Sequence, residues 1–317
     1  MSGTPAPALA AAFEADRRFL WGLCYRLTGS PADAEDLVQE TFARALERPP
    51  ARTDEPWRPW LVRVALNLGR DLLRRRKRRG YVGPWLPALV EVGDEEPLPA
   101  YEPAVGHTTT EGRYELMESV SLAFLLALEA LTPRQRAVLL LREVFDYSVE
   151  QTADALDMSA PNVKTTHHRA RHAMRDYDRR RVVPTRELQE RTRDVLVRFL
   201  RGLAHQDDAA VEALLAEDVR ALSDGGGEFT AARKVVVGRD RVARYALGIA
   251  RRRTATMPFE VRLVNGLPAV LTELTGGKSG DVLRVVTTCD VDAAGRITRL
   301  YTVLATAKLA ALRPPAA

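Results

Sequence analysis

Apolar positions recur at helical spacing through the first part of the chain and at alternating or unbroken spacing near its end. In SPADAEDLVQETFARAL, from Ser30 onward, Leu37, Val38, Thr41, Phe42 and Ala45 fall on one side of a helix, and Asp36, Gln39, Glu40 and Glu47 on the other. Ser30 reads as the N-cap and Pro31 as the first helical residue, with acids in the first turns. EPWRPWLVRVALNLGRDLLRRRKRRG predicts a second amphipathic helix on Leu61, Val64, Ala65, Leu68 and Leu72. LTPRQRAVLLLREVF, capped by Thr132 with Pro133 behind it, and SVEQTADAL, capped by Ser148, predict two more. Asp157, Met158 and Ser159 form a turn before a basic helix, APNVKTTHHRARHAMRDY. With Ala153, Leu156 and Val163 inward, these elements make a helix-turn-helix. After Pro184, RELQERTRDVLVRFLRGLAHQDDAAVEALL keeps helical spacing. The β-branched runs RKVVVG, FEVRLV, AVLTEL, VLRVVTTCDV and ITRLYTVL follow, separated by glycines. Helices and then a meander of strands predict an α+β domain, its helices on one face of a curved antiparallel sheet.

Between the two helical parts, PWLPALVEVGDEEPLPAYEPAVGHTTTEG is rich in proline and acid and reads as an extended linker. The expected organisation is a helical domain over 1–80, a linker over 81–115, a second helical domain over 116–182 and the α+β domain over 186–312. A length of 317 residues, 46% hydrophobic and 28% charged, suits two or three soluble globular domains. The apolar run SLAFLLALEAL is too short to span a bilayer, and no basic stretch precedes an apolar one at the N-terminus. The reading is therefore a cytoplasmic protein with no membrane anchor or signal peptide. Cys24 and Cys289 stand far apart without metal-ligand spacing, so neither a disulfide framework, a metal nor a cofactor is expected.

The net charge of +5 matters less than its placement in RDLLRRRKRRG and KTTHHRARHAMRDYDRRR. The first run is denser than helix-dipole compensation needs and suits phosphate neutralisation. Trp57, Trp60 and Asn67 beside it are the candidates for reading sequence, although Trp60 continues the apolar pattern and reads better as core. On the basic helix Lys164, Thr165 and His168 share one face. Neither His167 nor His168 has a second ligand pair that would suggest a metal. The acidic face of the first helix is by itself an ordinary solvated surface.

DAEDLVQETFARAL followed by PWLVRVALNLGRDLLRRRKRR resembles conserved region two of bacterial RNA polymerase sigma factors of the extracytoplasmic-function (ECF) group. NVKTTHHRARHAMR resembles region four of the same group. YVGPWLP (Tyr81–Pro87) and SDGGGEF resemble a sigma factor J-like subgroup carrying a C-terminal SnoaL-like domain of the NTF2 superfamily, a cone of helices on a curved sheet. The resemblance implies two all-α sigma domains, a region two bundle and a region four helix-turn-helix, plus an α+β cone. It implies that Asp36, Gln39 and Glu40 dock on the coiled coil of the polymerase β′ subunit. Trp57, Asn67, Arg70, Arg74, Arg75 and Arg78 would serve the −10 promoter element. Lys164, Thr165, His168 and Arg169 would serve the −35 element, with Arg171 and Arg175 nearer the DNA backbone. Trp85, Leu86, Pro87, Asp224, Gly225, Gly226, Gly227 and Glu228 would be regulatory interdomain residues. The subgroup has a basic residue where Glu228 stands and ends in an N-P-D-K-L-like motif where this chain has LATAKLAAL.

The glycine triplet in LSDGGGEFTAARK is no P-loop, since GxxxxGK[ST] is missing; it reads as a tight turn leading from the helical part of the tail into its sheet. Asp218, Asp224, Glu228 and His205 are the acid/base side chains an enzymatic SnoaL-like tail would offer, but sequence gives them no pocket or partner. The expected function is therefore a non-enzymatic promoter-recognition factor whose partners are core RNA polymerase and promoter DNA, modulated in cis by its tail. The alternatives are a standalone helix-turn-helix regulator with a small-molecule-binding tail and, third, a SnoaL-like acid/base enzyme.

Overall fold

The Ser30 side chain accepts a hydrogen bond from Asp33 N at 3.2 Å and Pro31 opens the helix behind it. This computed structural model describes residues 6–52, 55–91, 118–181, 183–251, 259–275 and 282–313. The chain divides into two compact units: Met1–Gly80 with Gly93–Val182, and Tyr81–Val92 with Val183–Ala317. Most of the expected linker lies outside the described residues, and its first part belongs to the second unit.

The first unit opens with α1 (Ala6–Thr28), α2 (Pro31–Glu47) and α3 (Arg58–Arg79). Helix α2 buries Ala34, Leu37, Val38, Thr41, Phe42 and Ala45, the face its periodicity predicts. On α3 the buried set is Leu61, Val62, Ala65, Leu66, Gly69 and Leu73, whereas Val64, Leu68 and Leu72 are half-buried, so the core face is rotated from the predicted one. Gly69 accounts for part of that: a Cβ there would stand 2.4 Å from Leu27 Cδ2, so the glycine is where α1 and α3 come together.

Next come α4 (Leu122–Leu128), α5 (Pro133–Leu139), α6 (Val149–Leu156) and α7 (Ala160–Asp178). Thr132 with Gln135 and Ser148 with Gln151 form capping boxes at α5 and α6, each satisfying two backbone donors. The single helix expected over LTPRQRAVLLLREVF is divided, because a π-helical turn (Leu140–Val144) follows α5 and Asp146 then takes a positive φ of 52°. Asp157, at φ 51°, ends α6 in the left-handed conformation that a short polar side chain tolerates, and Ala153, Leu156 and Val163 are buried around the turn. The two helical parts, expected as separate domains, pack as one unit. Arg136, 3% exposed, donates to Leu27 O at 2.8 Å. Arg26 donates to Ser119 Oγ at 2.8 Å, and the Phe19 and Phe145 rings meet edge to face at 5.1 Å.

The second unit contains α8 (Arg186–His205), α9 (Asp208–Ala213), β1 (Leu215–Asp224), β2 (Val236–Val237), α10 (Arg239–Arg251), β3 (Phe259–Val264), β4 (Leu267–Thr275), β5 (Val282–Val291), β6 (Ile297–Val303) and α11 (Thr306–Leu309). The sheet order is β2-β1-β6-β5-β4-β3. Val195, Leu196 and Phe199 of α8 and Val242, Ala243 and Leu247 of α10 close a core over Val219, Ala221, Val270, Cys289 and Leu300 of the sheet. Three features depart from expectation. The stretch before the glycine triplet is strand β1 rather than the end of a helical region. An unpredicted helix, α10, interrupts the strands. Finally, β1 runs parallel to β6, so the sheet is mixed.

The triplet therefore leaves β1 instead of leading into the sheet. Glu228 N and Phe229 N both donate to Gly225 O, at 2.9 and 3.0 Å, and Gly226 and Gly227 have φ of +64° and +80°. A Cβ on Gly225 would lie 2.3 Å from the Phe229 carbonyl oxygen. Gly225→Ala is expected to destabilise the second unit by about 1–3 kcal/mol. Gly248→Ala, in α10 with nothing within 4 Å of its Cβ position, is expected to be neutral or stabilising. Thermal unfolding of the two variants checks the contrast.

Candidate functional sites

Four groups of the singled-out residues can be located. On α2, Asp36, Gln39 and Glu40 are exposed along one stripe opposite the buried face, with Glu40 held by Arg44 at 2.9 Å. Leu46, 57% exposed on the same helix, lies near this stripe and was not singled out by sequence, because a lone exposed leucine carries no periodic signal.

On α3, Asn67, Arg74, Arg75 and Arg78 are exposed, and Arg74 pairs with Asp71 at 3.0 Å. Arg70 is half-buried, and burial followed by the nearby charges of Arg74 and Arg134 lowers its pKa. Trp57 is 5% exposed. It lines a cavity of about 910 Å³ with Phe19, Phe145 and Tyr147, so base stacking by Trp57 requires that region to open. Trp60, read as core, is half-buried. Arg76 turns inward instead. It donates to Thr28 O at 2.7 Å and pairs with Asp33, so it caps the carbonyl end of α1, where a cation is favoured.

On α7, Lys164, Thr165, His168, Arg169 and Arg175 are exposed, while Val163, Thr166 and Ala170 face the core. The helix thus presents one polar, cationic face beyond a helix-turn-helix corner. Arg171 and His167 are drawn back by Glu143, at 3.1 and 2.5 Å.

The fourth group lies wholly in the second unit, where residues 81–91 run against the tail. Asp224 is its hub, 1% exposed. Its carboxylate accepts from Tyr81 Oη at 2.6 Å, Leu86 N at 2.7 Å, Gly226 N at 2.9 Å and Lys308 Nζ at 2.5 Å. Lys308 also donates to Leu86 O at 2.5 Å and sits 4.5 and 4.6 Å from the centroids of Tyr81 and Trp85. A buried carboxylate surrounded by four donors and a cation held between two aromatic rings are mutually stabilising. Leu86, Pro87, Ala88, Leu89 and Val90 are buried. Leu89 N donates to Lys308 O at 2.9 Å and Asn265 Oδ1 accepts from Val90 N at 3.1 Å. Glu91 is held by Arg262 at 2.6 Å and Arg313 at 2.7 Å. Burial is the largest single influence and raises its pKa, but the hydrogen bonds from Arg313 and Arg262 and the Arg262 charge together outweigh it and hold the pKa low.

Glu228, in place of the subgroup's basic residue, accepts from Thr306 N at 3.3 Å at the start of α11. Lys308 and Leu309 within LATAKLAAL keep the Lys-Leu of the subgroup's closing motif. That pair was the available signal for a residue that sequence reading passed over. The acid/base candidates do not converge: Asp218 and His205 are exposed, Asp224 is taken up by the hub and Glu228 by α11.

Residues 12–79 match the family model of Sigma-70 region 2, and residues 121–174 that of Sigma-70, region 4. The chain is similar to the ECF RNA polymerase sigma factor SigJ of Mycobacterium tuberculosis, 32% identical over 242 residues that span 76% of this chain and 72% of that protein. It is also similar to the probable ECF RNA polymerase sigma factor SigI of the same organism, 30% identical over 316 residues and 96% of each chain. The crystal structure of M. tuberculosis SigJ superposes with a TM-score of 0.69 at 28% identity, covering 95% of this chain and 98% of that one. With two sigma regions, a shared α+β tail and relatives aligned through all three parts, the chain belongs to the ECF RNA polymerase sigma factors.

Proposed function

We propose that the protein recruits core RNA polymerase through Asp36, Gln39 and Glu40, the β′ coiled coil being the surface they meet, and reads a two-element promoter. Asn67, Arg70, Arg74, Arg75 and Arg78, with Trp57 once uncovered, serve the −10 element. Lys164, Thr165, His168 and Arg169 serve the −35 element, with Arg171 and Arg175 on phosphates. The observation that carries this reading is the exposed cationic face of α7 beyond the helix-turn-helix corner. Its residues are of the types that reach base edges and phosphates from a groove. In a duplex-binding assay Lys164→Ala and Arg169→Ala should each weaken binding, and a phosphate contact is recognised by a salt slope that falls by about one. Full affinity with an unchanged salt slope in both variants contradicts the assignment.

The tail acts in cis through residues 81–91. Pinning this stretch to Asp224, Lys308, Asn265 and Arg262 takes it out of the length of chain that connects regions two and four. Less slack limits the separations at which both regions engage one promoter. Trp85, Leu86, Pro87, Asp224 and Gly225–Gly227 are the regulatory residues, with Glu228 fixing α11 beneath Lys308. Trp85→Ala, which removes one wall of the lysine's aromatic enclosure, should resemble a mild form of deleting the tail from Arg186 onward. Promoter-specific transcription by these two variants indistinguishable from the intact chain contradicts regulation in cis. Among the described residues, apolar side chains occupy the space between helices and sheet, and the four acid/base candidates stand apart. The regulatory reading of the tail is therefore favoured over ligand binding or catalysis.

A further inference from the structure

Two of the basic side chains on α7 are answered by the fold itself. Glu143 meets them with both carboxylate oxygens: Oε1 stands 2.5 Å from His167 Nε2, and Oε2 accepts from Arg171 Nη1 at 3.1 Å. Lys164, Arg169 and Arg175 have no such ion pair among the described residues. His167 and Arg171 lie one turn apart on the flank of α7, between its buried face and its exposed one. Glu143 belongs to the π-helical turn Leu140–Val144, in which Phe145 N donates to Leu140 O at 3.0 Å, a rare geometry that recurs at functional sites. Leu140, Leu141 and Val144 anchor that turn in the core, and Arg142 ties it to Tyr147 O, which leaves Glu143 on the outside. With 34% of the Glu143 side chain and 56% of the Arg171 side chain exposed, the pair stands open to a competing anion.

We propose that Glu143 is a specificity-determining residue, an internal stand-in for a DNA phosphate that withholds Arg171 and His167 from duplexes of the wrong sequence. Two oxygens of one anion set against a guanidinium and an imidazole reproduce what a backbone phosphate offers the same two side chains. A duplex that gains only phosphate contacts must break the Glu143 pairs to reach Arg171. One partly exposed ion pair is then exchanged for another, and Arg171 adds little to non-specific affinity. Where base edges also bond Lys164, Thr165 and His168, α7 is seated in the groove and the phosphates displace the carboxylate at close range. Glu143 thus lowers binding to arbitrary DNA more than binding to the promoter, and specificity is that difference. This role rests on the assignment of α7 to the −35 element.

The test measures binding of the full chain to a short duplex of arbitrary sequence across a range of salt concentrations. Glu143→Gln, which keeps the side-chain shape and removes its charge, should raise affinity by about three- to fivefold and steepen the salt slope by about 0.9, one further phosphate contact. Arg171→Gln should change little in the parent chain and should cancel the gain in the Glu143→Gln chain. Among fragments of genomic DNA retained by each chain and sequenced, Glu143→Gln should flatten the enrichment of preferred fragments. Glu143→Asp draws the carboxylate back by one methylene at unchanged net charge, and should show a smaller gain that Arg171→Gln also cancels. Circular dichroism melts establish that each variant is folded. A gain that survives Arg171→Gln reports only relief of charge repulsion and overturns the role, as does a gain with undiminished enrichment. A loss of affinity in Glu143→Gln overturns it too, since Glu143 would then aim Arg171 at the duplex. If Lys164→Ala and Arg169→Ala weaken binding while Glu143→Gln leaves affinity and salt slope unaltered, the −35 assignment stands and the role of Glu143 alone is lost.

Discussion

Asp224→Ala is expected to detach residues 81–91 from the tail. The substitution removes the acceptor for Tyr81, Leu86 N and Gly226 N and takes from the half-buried Lys308 its carboxylate partner, leaving it Leu86 O and the two aromatic rings. Removing one partner of a buried ion pair costs about 3–5 kcal/mol, because the remaining charge is left desolvated. The full chain should lose that much stability in the second unit and become sensitive to protease near Trp85. Lys308→Met should cost less than Asp224→Ala, since Tyr81, Leu86 N and Gly226 N still satisfy the carboxylate. A double-mutant cycle between the two positions should give strong coupling. Function should change with stability: the freed residues lengthen the connection between regions two and four. Run-off transcription should then tolerate spacers one or two base pairs from optimal better than the parent protein does. An unchanged melting temperature would remove Asp224 from the centre of this clasp of residues 81–91 on the tail.

Asp36→Ala combined with Gln39→Ala is expected to abolish stable association with core polymerase while leaving the protein folded. Both side chains are exposed on α2 and make no contribution to its buried face. Interface anchors of this kind cost about 2 kcal/mol or more on truncation, roughly a thirtyfold loss of affinity. Losing an acidic charge should also slow association and weaken its dependence on salt. Co-purification and surface binding with core polymerase measure this, and duplex binding by the isolated variant should be unaltered. Leu46→Ala should give a smaller loss of the same kind if the interface reaches the exposed leucine.

The parts that could be read from sequence are those whose determinants are local. Ser30 and Pro31 start α2, and its buried face follows directly from a helical period. VLRVVTTCDV is β5 from end to end, and the α6–α7 corner falls at Asp157, Met158 and Ser159. The parts that escaped are tertiary. LAEDVRALSD continues a helical-looking stretch, and it becomes β1 because it pairs with β2 and, in parallel, with β6. RDRVARYALGIAR lies among strand runs, and its helical face appears only once Val242, Ala243 and Leu247 are seen against the core. The rotation of the α3 core face depends on contact at Gly69, which a periodic pattern does not register. In the clasp, sequence singled out Trp85, Leu86, Pro87 and Asp224. It did not find Tyr81, Asn265 or Lys308, because their roles arise from residues far apart in the chain meeting at one carboxylate and one strand edge. Trp57 shows the converse: an aromatic suited to stacking on a base is buried, and it lines one cavity with Phe145 and Tyr147, from a segment the sequence assigns to another domain.

The most direct test of the account is in vitro transcription with core polymerase, the full chain and fragmented genomic DNA, with transcript starts mapped by sequencing. Starts that depend on the added protein and share two upstream elements are expected. These starts should vanish with the Asp36→Ala, Gln39→Ala variant and relax in spacing with Asp224→Ala. Protein that binds duplex DNA yet yields no start above core polymerase alone would contradict it and favour a standalone helix-turn-helix regulator.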